Sequence, residues 1–256
     1  MTSVEAYRAA LRALDDWDPY LLAESGLPGP RSNLELVQAA AELGSADRIR
    51  CWLAADSPDT APENTPAVFL TVCGTVGLGR LLAEGDSATL DELRALANDP
   101  RWRVREAVCM ALQRWGDSDM DALLAAMDIW AGGSRYEQRA AAAALCEPRL
   151  LSEVAHAART LALLDRLTAG LINAADRRSE PFRTLRQALG YCWSVALVAN
   201  PVAGRPLFEQ WSRSPDADAR WVVRKNLKKN RLERLDAAWV ASLRAQMNQC
   251  ALTDRW

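Results

Sequence analysis

The residues from Asn98 to Gly116 carry the signals of one complete helix, and this stretch constrains the fold more than any other. Asp99 is a typical capping residue, Pro100 favours the first turn, and Gly116 suits the left-handed residue that ends many helices. Apolar residues recur at three- and four-residue spacings, which predicts one buried stripe made of Val104, Ala107, Val108, Ala111, Leu112 and Trp115. Trp102 and Arg105 fall on the flanks of that stripe, facing neighbouring helices or solvent.

The same phrase returns near the end of the chain. Four residues of the first copy each have a counterpart in the second copy, always at the same distance along the chain. Trp102, Val104, Arg105 and Val108 correspond in this order to Trp221, Val223, Arg224 and Leu227. Related patterns surround Arg139 and Arg186, and the spacing between successive arginines suits pairs of helices. Each pair leaves an apolar face that only a neighbouring pair covers. No alternating strand pattern appears, so the sequence predicts an all-α repeat protein.

The pattern predicts one continuous domain over residues 1–256. Residues 1–86 are expected to form irregular helices, residues 87–235 regular two-helix repeats, and residues 236–256 a capping helix. A stiff elbow runs from Ser25 to Leu36, where glycines and prolines forbid regular structure and Ser32 with Glu35 has capping-box spacing. Three glycines at 74, 77 and 79 lie in a helical pattern without a preceding strand, which predicts close helix packing or a kink rather than a dinucleotide-binding loop.

The segment DPRWRVREAV, which starts at Asp99, resembles the second helix of a HEAT repeat in its Asp, its Val-Arg pair and its apolar stripe. The resemblance extends roughly from Ser87 to Arg234. It implies a right-handed α-solenoid of HEAT-like two-helix repeats that acts as a binding scaffold without catalysis. In that family the arginine commonly reaches an acidic side chain of a neighbouring repeat, and Asp99 and Glu106 are the nearby candidates.

Charge is distributed unevenly along the chain, although the net charge is only -2. Met1 to Asp99 holds 7 basic and 16 acidic residues, whereas the remainder holds 24 basic and 17 acidic residues. This asymmetry suggests a partner that docks on the basic half. Complementary charges that solvate the two ends of one solenoid are the alternative explanation.

The basic residues concentrate around the second copy of the helix phrase, which contains the only lysines of the chain. An aromatic side chain among cations suits a nucleic-acid backbone with a base or sugar against the ring. The alternative is a basic helix that pairs with nearby acids while Trp221 packs between helices. The candidate binding residues for a protein or nucleic-acid partner are Trp102, Arg105, Arg220, Trp221, Arg224, Lys225, Lys228, Lys229 and Arg231.

A second resemblance is to the AlkD-like DNA alkylation-repair glycosylases, which have a similar chain length. Trp221, Arg224 and Lys225 look like the aromatic-then-Arg-Lys helix near the C-terminus of that family, although Lys229 stands where the family has a tryptophan. The family's catalytic aspartate lies four residues after a tryptophan, a spacing that Trp102 and Glu106 imitate with the longer acid. The resemblance implies release of alkylated bases, with Glu106 stabilising a cationic sugar. The scaffold and the glycosylase or alkylated-DNA binder therefore both stay open.

The remaining composition points to no cofactor and no metal. The single histidine, His156, leaves the usual zinc ligand sets incomplete. The six cysteines form no CxxC pair and are expected to be buried small hydrophobic residues: Cys51, Cys73, Cys109, Cys146, Cys192 and Cys250. No apolar run approaches the length that crosses a bilayer, and the N-terminus lacks the order of a signal peptide. We therefore expect a cytoplasmic protein.

Overall fold

The computed structural model describes residues 3–54, 57–175 and 177–253, with side chains described as far as residue 249. Within those ranges the chain forms fourteen α-helices and no β-strand, which confirms the all-α prediction. The helices group into two compact units, Met1–Asp119 and Met120–Trp256. One continuous domain over residues 1–256 stays a prediction.

Unit 1 is built around a helix that is apolar on every side. Its helices are α1 (Ser3–Arg12), α2 (Asp18–Ala23), α3 (Leu34–Leu43), α4 (Ala46–Ala54), α5 (Ala67–Ala83), α6 (Thr89–Leu96) and α7 (Trp102–Ser118). A helix that is hydrophobic all round is stable only when neighbours cover every face. In agreement, α5 contacts α2, α3, α4, α6 and α7.

The glycines of α5 let these neighbours approach closely. A Cβ atom built on Gly77 would lie 2.8 Å from side-chain carbons of Ile49 in α4, and one built on Gly79 would lie 2.3 Å from the carbonyl oxygen of Ala111 in α7. Real Cβ atoms essentially never come this close to a neighbour. The packing interpretation of the three glycines is therefore confirmed.

The helix predicted from Asn98 to Gly116 is present, but both of its ends differ from the prediction. It begins at Trp102 because the Asp99 carboxylate is bound by the backbone N–H and the guanidinium of Arg101, and so it caps no helix. Gly116 is buried inside the helix, which continues to Ser118. The predicted stripe is buried except for Trp115, which is partly exposed.

Unit 2 consists of two rows of helices that alternate along the chain. Its helices are α8 (Met120–Trp130), α9 (Arg135–Leu145), α10 (Val154–Ile172), α11 (Glu180–Ala199), α12 (Pro201–Ser212), α13 (Ala217–Asn226) and α14 (Asn230–Thr253), with a 3₁₀ turn at Pro148–Leu151. Consecutive members of the row α9, α11 and α13 contact one another, as do consecutive members of the row α8, α10 and α12. Each helix of one row also contacts its chain neighbour in the other row.

The last helix is interrupted at Asp236, where the backbone leaves helical geometry. The carboxylate of Asp236 accepts a hydrogen bond from the backbone N–H of Trp239 at 2.9 Å, so it caps the segment that follows. The predicted start of the C-terminal helix at residue 236 coincides with this break.

In both copies of the repeated helix pattern, an arginine binds carbonyl oxygens of the loop before the helix. The two arginines are not the pair that the sequence match aligns. Nη1 of Arg105 donates to the carbonyl oxygens of the two residues at 99 and 100, each at 2.7 Å. Nη1 of Arg220 donates to the carbonyl oxygens of the two residues at 214 and 215, each at 2.8 Å. Arg220, not Arg224, is therefore the structural counterpart of Arg105, which shifts the sequence match by about one helical turn.

Candidate nucleic-acid interface

The basic segment of unit 2 is held in place by buried polar contacts between α13 and α11. The carboxylate of Asp216 caps α13 by accepting from the backbone N–H groups of Asp218 and Ala219. At the other end of α13, the fully buried side chain of Asn226 accepts from the backbone N–H of Ser194 and donates to the carbonyl of Leu189, both at 2.8 Å. These bonds fix the position of the cations that follow along the chain.

Six cations along this segment define a surface that we call the basic surface. None of them forms an ion pair with a carboxylate within the part of the chain that the structure describes. The six residues are Arg224, Lys225, Lys228, Lys229, Arg231 and Arg234. Like charges gathered in this way repel one another, and a bound polyanion relieves that repulsion.

Trp221 lies among these cations but is largely engaged inside the unit. The guanidinium carbon of Arg186 lies 4.5 Å from its ring centroid, and Nζ of Lys225 lies 5.1 Å from it. A Cβ atom built on Gly190 would lie 3.0 Å from Cζ3 of the indole, so the ring edge packs against the α11 backbone. Trp221 therefore packs between helices, which was the alternative to base stacking, and its ring also positions two cations.

Tyr191 belongs to the basic surface, although its local sequence gives no sign of this. Its side chain is 41% exposed, and its ring carries Lys229 Nζ at 5.2 Å and the Arg231 guanidinium at 4.7 Å from the centroid. The hydroxyl accepts a hydrogen bond from Arg231 Nη2 at 2.8 Å. Tyr191 sits in an apolar helix, and its cations come from a segment far along the chain, so only the fold brings them together.

The acids near the basic surface are bound to other arginines. Glu233 pairs with Arg244 at 2.8 Å, while Asp218 pairs with Arg177 and Arg186. Burial alone would raise the pKa of Asp216, but hydrogen bonds from Arg177 and from two backbone N–H groups outweigh it and lower that pKa below its ordinary value. Asp216 therefore serves the start of α13 as an anion. The carboxylates of Asp216 and Asp218 both contact Arg177, and that of Asp218 also contacts Arg186, so neither pairs with the six cations.

Arg220 does not belong to the basic surface. Its guanidinium is turned back onto the loop that precedes α13, where it binds two carbonyl oxygens. Arg105 has the same role in unit 1 and is buried. An arginine in this position satisfies the carbonyls of the turn that leads into the helix.

Trp102 and Glu106 line a groove of unit 1 whose volume is about 380 Å³. Trp102 is 48% exposed, and the guanidinium carbon of Arg103 lies 4.4 Å from its ring centroid. The other lining residues come from the elbow and from helices α3, α5 and α7: Pro30, Arg31, Ser32, Leu34, Val72, Arg103, Ala107 and Met110. The Glu106 side chain is exposed to solvent rather than desolvated.

Buried arginines hold loops of unit 1 in place, including the elbow that forms one wall of this groove. Arg103 donates to the carbonyl of Gly29 at 2.7 Å and to the side chain of Asn64 at 3.1 Å, and Arg101 donates to the carbonyl of Ala61 at 3.0 Å. These contacts satisfy carbonyls of loops that have no regular structure. The start of α3 also differs from the prediction, because Asn33 caps it rather than Ser32.

The cysteine and membrane expectations have mixed outcomes. Cys73, Cys109, Cys146 and Cys192 are buried, but the expectation is wrong for Cys51, which is exposed. The side chain of Cys250 lies outside the described residues. Among the described helices, none combines the length and apolar character that spanning a membrane requires. Within the same residues, no three His, Cys, Asp or Glu side chains gather where they could hold a metal ion.

The chain matches no protein-family model. No curated protein and no solved structure matches it either.

Proposed function

We propose that this chain is a non-enzymatic, HEAT-like helical scaffold that binds nucleic acid through the basic surface. The observation that carries the proposal is the group of six cations that no described carboxylate neutralises. A right-handed solenoid and a cytoplasmic location belong to the same proposal. The alternating rows of helices in unit 2 and the matched roles of Arg105 and Arg220 support the repeat architecture.

Binding is expected to depend on phosphates more than on bases. Each phosphate that a lysine or arginine neutralises releases a condensed counterion, so affinity falls steeply as the salt concentration rises. The indole of Trp221 already packs against the α11 backbone, so we expect base stacking on it to contribute little. An acidic protein is the other class of partner. If this chain bound only an acidic protein, it would show no affinity for oligonucleotides.

The experiment compares salt dependence between two triple variants with equal changes in charge. Lys225→Gln, Lys228→Gln and Lys229→Gln together should reduce the slope of log affinity against log salt by about 2 to 3 on duplex DNA. The matched control is Arg149→Gln, Arg159→Gln and Arg166→Gln, whose side chains pair with Glu147, Asp121 and Asp128. The control should leave the slope unchanged, since these three arginines are not part of the basic surface and neutralise no phosphate there.

Both triple variants should keep the thermal stability of the wild type, because exposed charges contribute little to folding. Equal loss of affinity in the two variants would refute the assignment to the basic surface. A lysine variant that unfolds would show that these residues hold the structure together.

An AlkD-like glycosylase or alkylated-DNA binder is the second candidate, because Trp102 and Glu106 line the same groove. A carboxylate that stabilises a cationic sugar acts best when it is desolvated, whereas Glu106 is exposed. The two candidates differ in one assay. The scaffold releases no base from methylated duplex DNA, whereas a glycosylase releases it and loses that activity in Glu106→Gln.

A further inference from the structure

One end of the basic surface forms a shallow depression. It is lined by Lys228, Lys229, Asn230, Arg231 and Arg234, so four of its five residues are cations. The fifth residue carries an amide, whose NH₂ group offers two further hydrogen-bond donors to phosphate oxygens. The depression therefore offers donors and positive charge but no acceptor carboxylate from its lining.

Two of the four cations are held in position before any ligand arrives. Arg231 donates to the hydroxyl of Tyr191 at 2.8 Å and lies 4.7 Å from its ring centroid, and Lys229 Nζ lies 5.2 Å from the same centroid. Ordering long side chains costs free energy when a ligand binds. Because Tyr191 orders them in advance, it acts as a positioning residue for the depression.

The acid nearest in sequence is turned away from these cations. Glu233 lies between Arg231 and Arg234 along the chain, yet its carboxylate pairs with Arg244 at 2.8 Å. Arg244 is itself fixed by donating to the carbonyl of Leu227. The four cations therefore repel one another at short range, and a ligand with several negative charges in a small volume relieves the repulsion most effectively.

We propose that this depression binds a cluster of adjacent phosphates, such as the 5′-triphosphate end of a nucleic-acid strand. The inference rests on the proposed function, since the remaining cations of the basic surface would bind the strand behind that end. A backbone phosphate brings a single charge to any one position, whereas adjacent phosphates bring several. Arginine is suited to such groups because its planar donors bind two phosphate oxygens at once.

The test uses three oligonucleotides of one sequence that end in a 5′-triphosphate, a 5′-monophosphate or a 5′-hydroxyl. Two additional charge-assisted contacts should give the triphosphate about a tenfold advantage over the hydroxyl, with the monophosphate between them. Arg231→Gln with Arg234→Gln should bring the three affinities together. Tyr191→Phe keeps the ring but removes the acceptor for Arg231, and it should reduce the triphosphate preference by about two- to threefold.

Lys225→Gln is the control, because Lys225 lies beside Trp221 and not in the depression. It should weaken binding of all three oligonucleotides equally. Binding of inorganic tripolyphosphate provides a second measurement. It is followed by calorimetry on the wild type and on the double variant that combines Arg231→Gln with Arg234→Gln. If the wild type binds tripolyphosphate and the double variant does not, the inference is supported even when no oligonucleotide binds.

Equal affinity for the three oligonucleotides would overturn this inference while leaving salt-dependent binding, and thus the proposed function, in place. Failure of the wild type to bind tripolyphosphate would also overturn it. Failure to bind any oligonucleotide, with tripolyphosphate bound, would overturn the proposed function and keep the depression as an oligophosphate site. Should the double arginine variant fail to fold, Lys228→Gln carries the same comparison.

Discussion

Replacing Gly79 by alanine tests the close contact between α5 and α7 at a single atom. The new Cβ atom would lie 2.3 Å from the carbonyl oxygen, 2.5 Å from Cα and 2.7 Å from the carbonyl carbon of Ala111. All three are backbone atoms, so no side chain is able to rotate away. The two helices must therefore separate by roughly 1 Å to reach ordinary van der Waals contact, which weakens dispersion contacts along the interface.

The magnitude follows from two opposing effects. Alanine is favoured over glycine inside a helix by about 1 kcal/mol. Overpacking of a tight core costs about 1 to 3 kcal/mol, and the backbone clash places this site at the upper end of that range. We therefore expect the free energy of unfolding to fall by about 2 kcal/mol.

The assay is urea denaturation followed by circular dichroism, with Gly170→Ala as the matched control. Gly170 also lies inside a helix, but a Cβ atom there would meet only Nη1 of Arg135, at 3.6 Å. The control should gain up to about 1 kcal/mol, because only the helix preference changes. A Gly79→Ala protein as stable as the wild type would refute the close packing of α5 against α7.

Three further predictions concern stability. Leu112→Ala should cost about 2 to 5 kcal/mol by chemical denaturation, because Leu112 is fully buried and its truncation leaves a cavity; a change within experimental error would contradict its place in the core. Arg101→Gln should cost about 3 to 5 kcal/mol, since it removes the guanidinium from the Asp99 carboxylate, whose side chain is only 10% exposed, and the loss should shrink when Asp99→Asn is added. The lowered pKa of Asp216 gives stability that is complete above the unfolded-state pKa of about 3.9 and lost as the pH falls through the folded-state pKa; melting temperatures of Asp216→Asn should therefore fall less than those of the wild type on acidification below about pH 4, and parallel curves would exclude this linkage.

The helical class and the core stripe were predictable, because they depend on local periodicity. Val104, Val108 and Leu112 recur at helical spacing, and all three are buried. The break at Asp236 was also predictable from the local sequence, because aspartate accepts a hydrogen bond from a free N–H group at a helix start.

The ends of α7 and the burial of its arginines were not predictable from local patterns. Asp99 is diverted from capping because Arg101, two residues later, binds its carboxylate. Arg101 and Arg103 are buried because loops distant in sequence present carbonyl oxygens to them. From the sequence alone, an arginine in or beside an amphipathic helix is expected to lie on its solvent-exposed side. Only the positions of those loops in the fold show that these arginines are buried.

The candidate surface was predictable only in part. The cations around Trp221 stand together in the sequence, but their lack of carboxylate partners depends on where Glu233 and Asp218 point. Tyr191 joins them through the packing of α11 beside the segment that links α13 to α14. Contacts between segments that are distant in the chain leave no periodic pattern in the sequence, so this contact of Tyr191 could not be predicted.

The salt dependence of nucleic-acid binding by the wild-type protein tests the central claim most directly. With four to six cations in contact with duplex phosphates, the slope of log affinity against log salt should lie between about -3.6 and -5.4. A slope near zero, or no binding of duplex or single-stranded oligonucleotides at low salt, would contradict the claim that the basic surface binds nucleic acid.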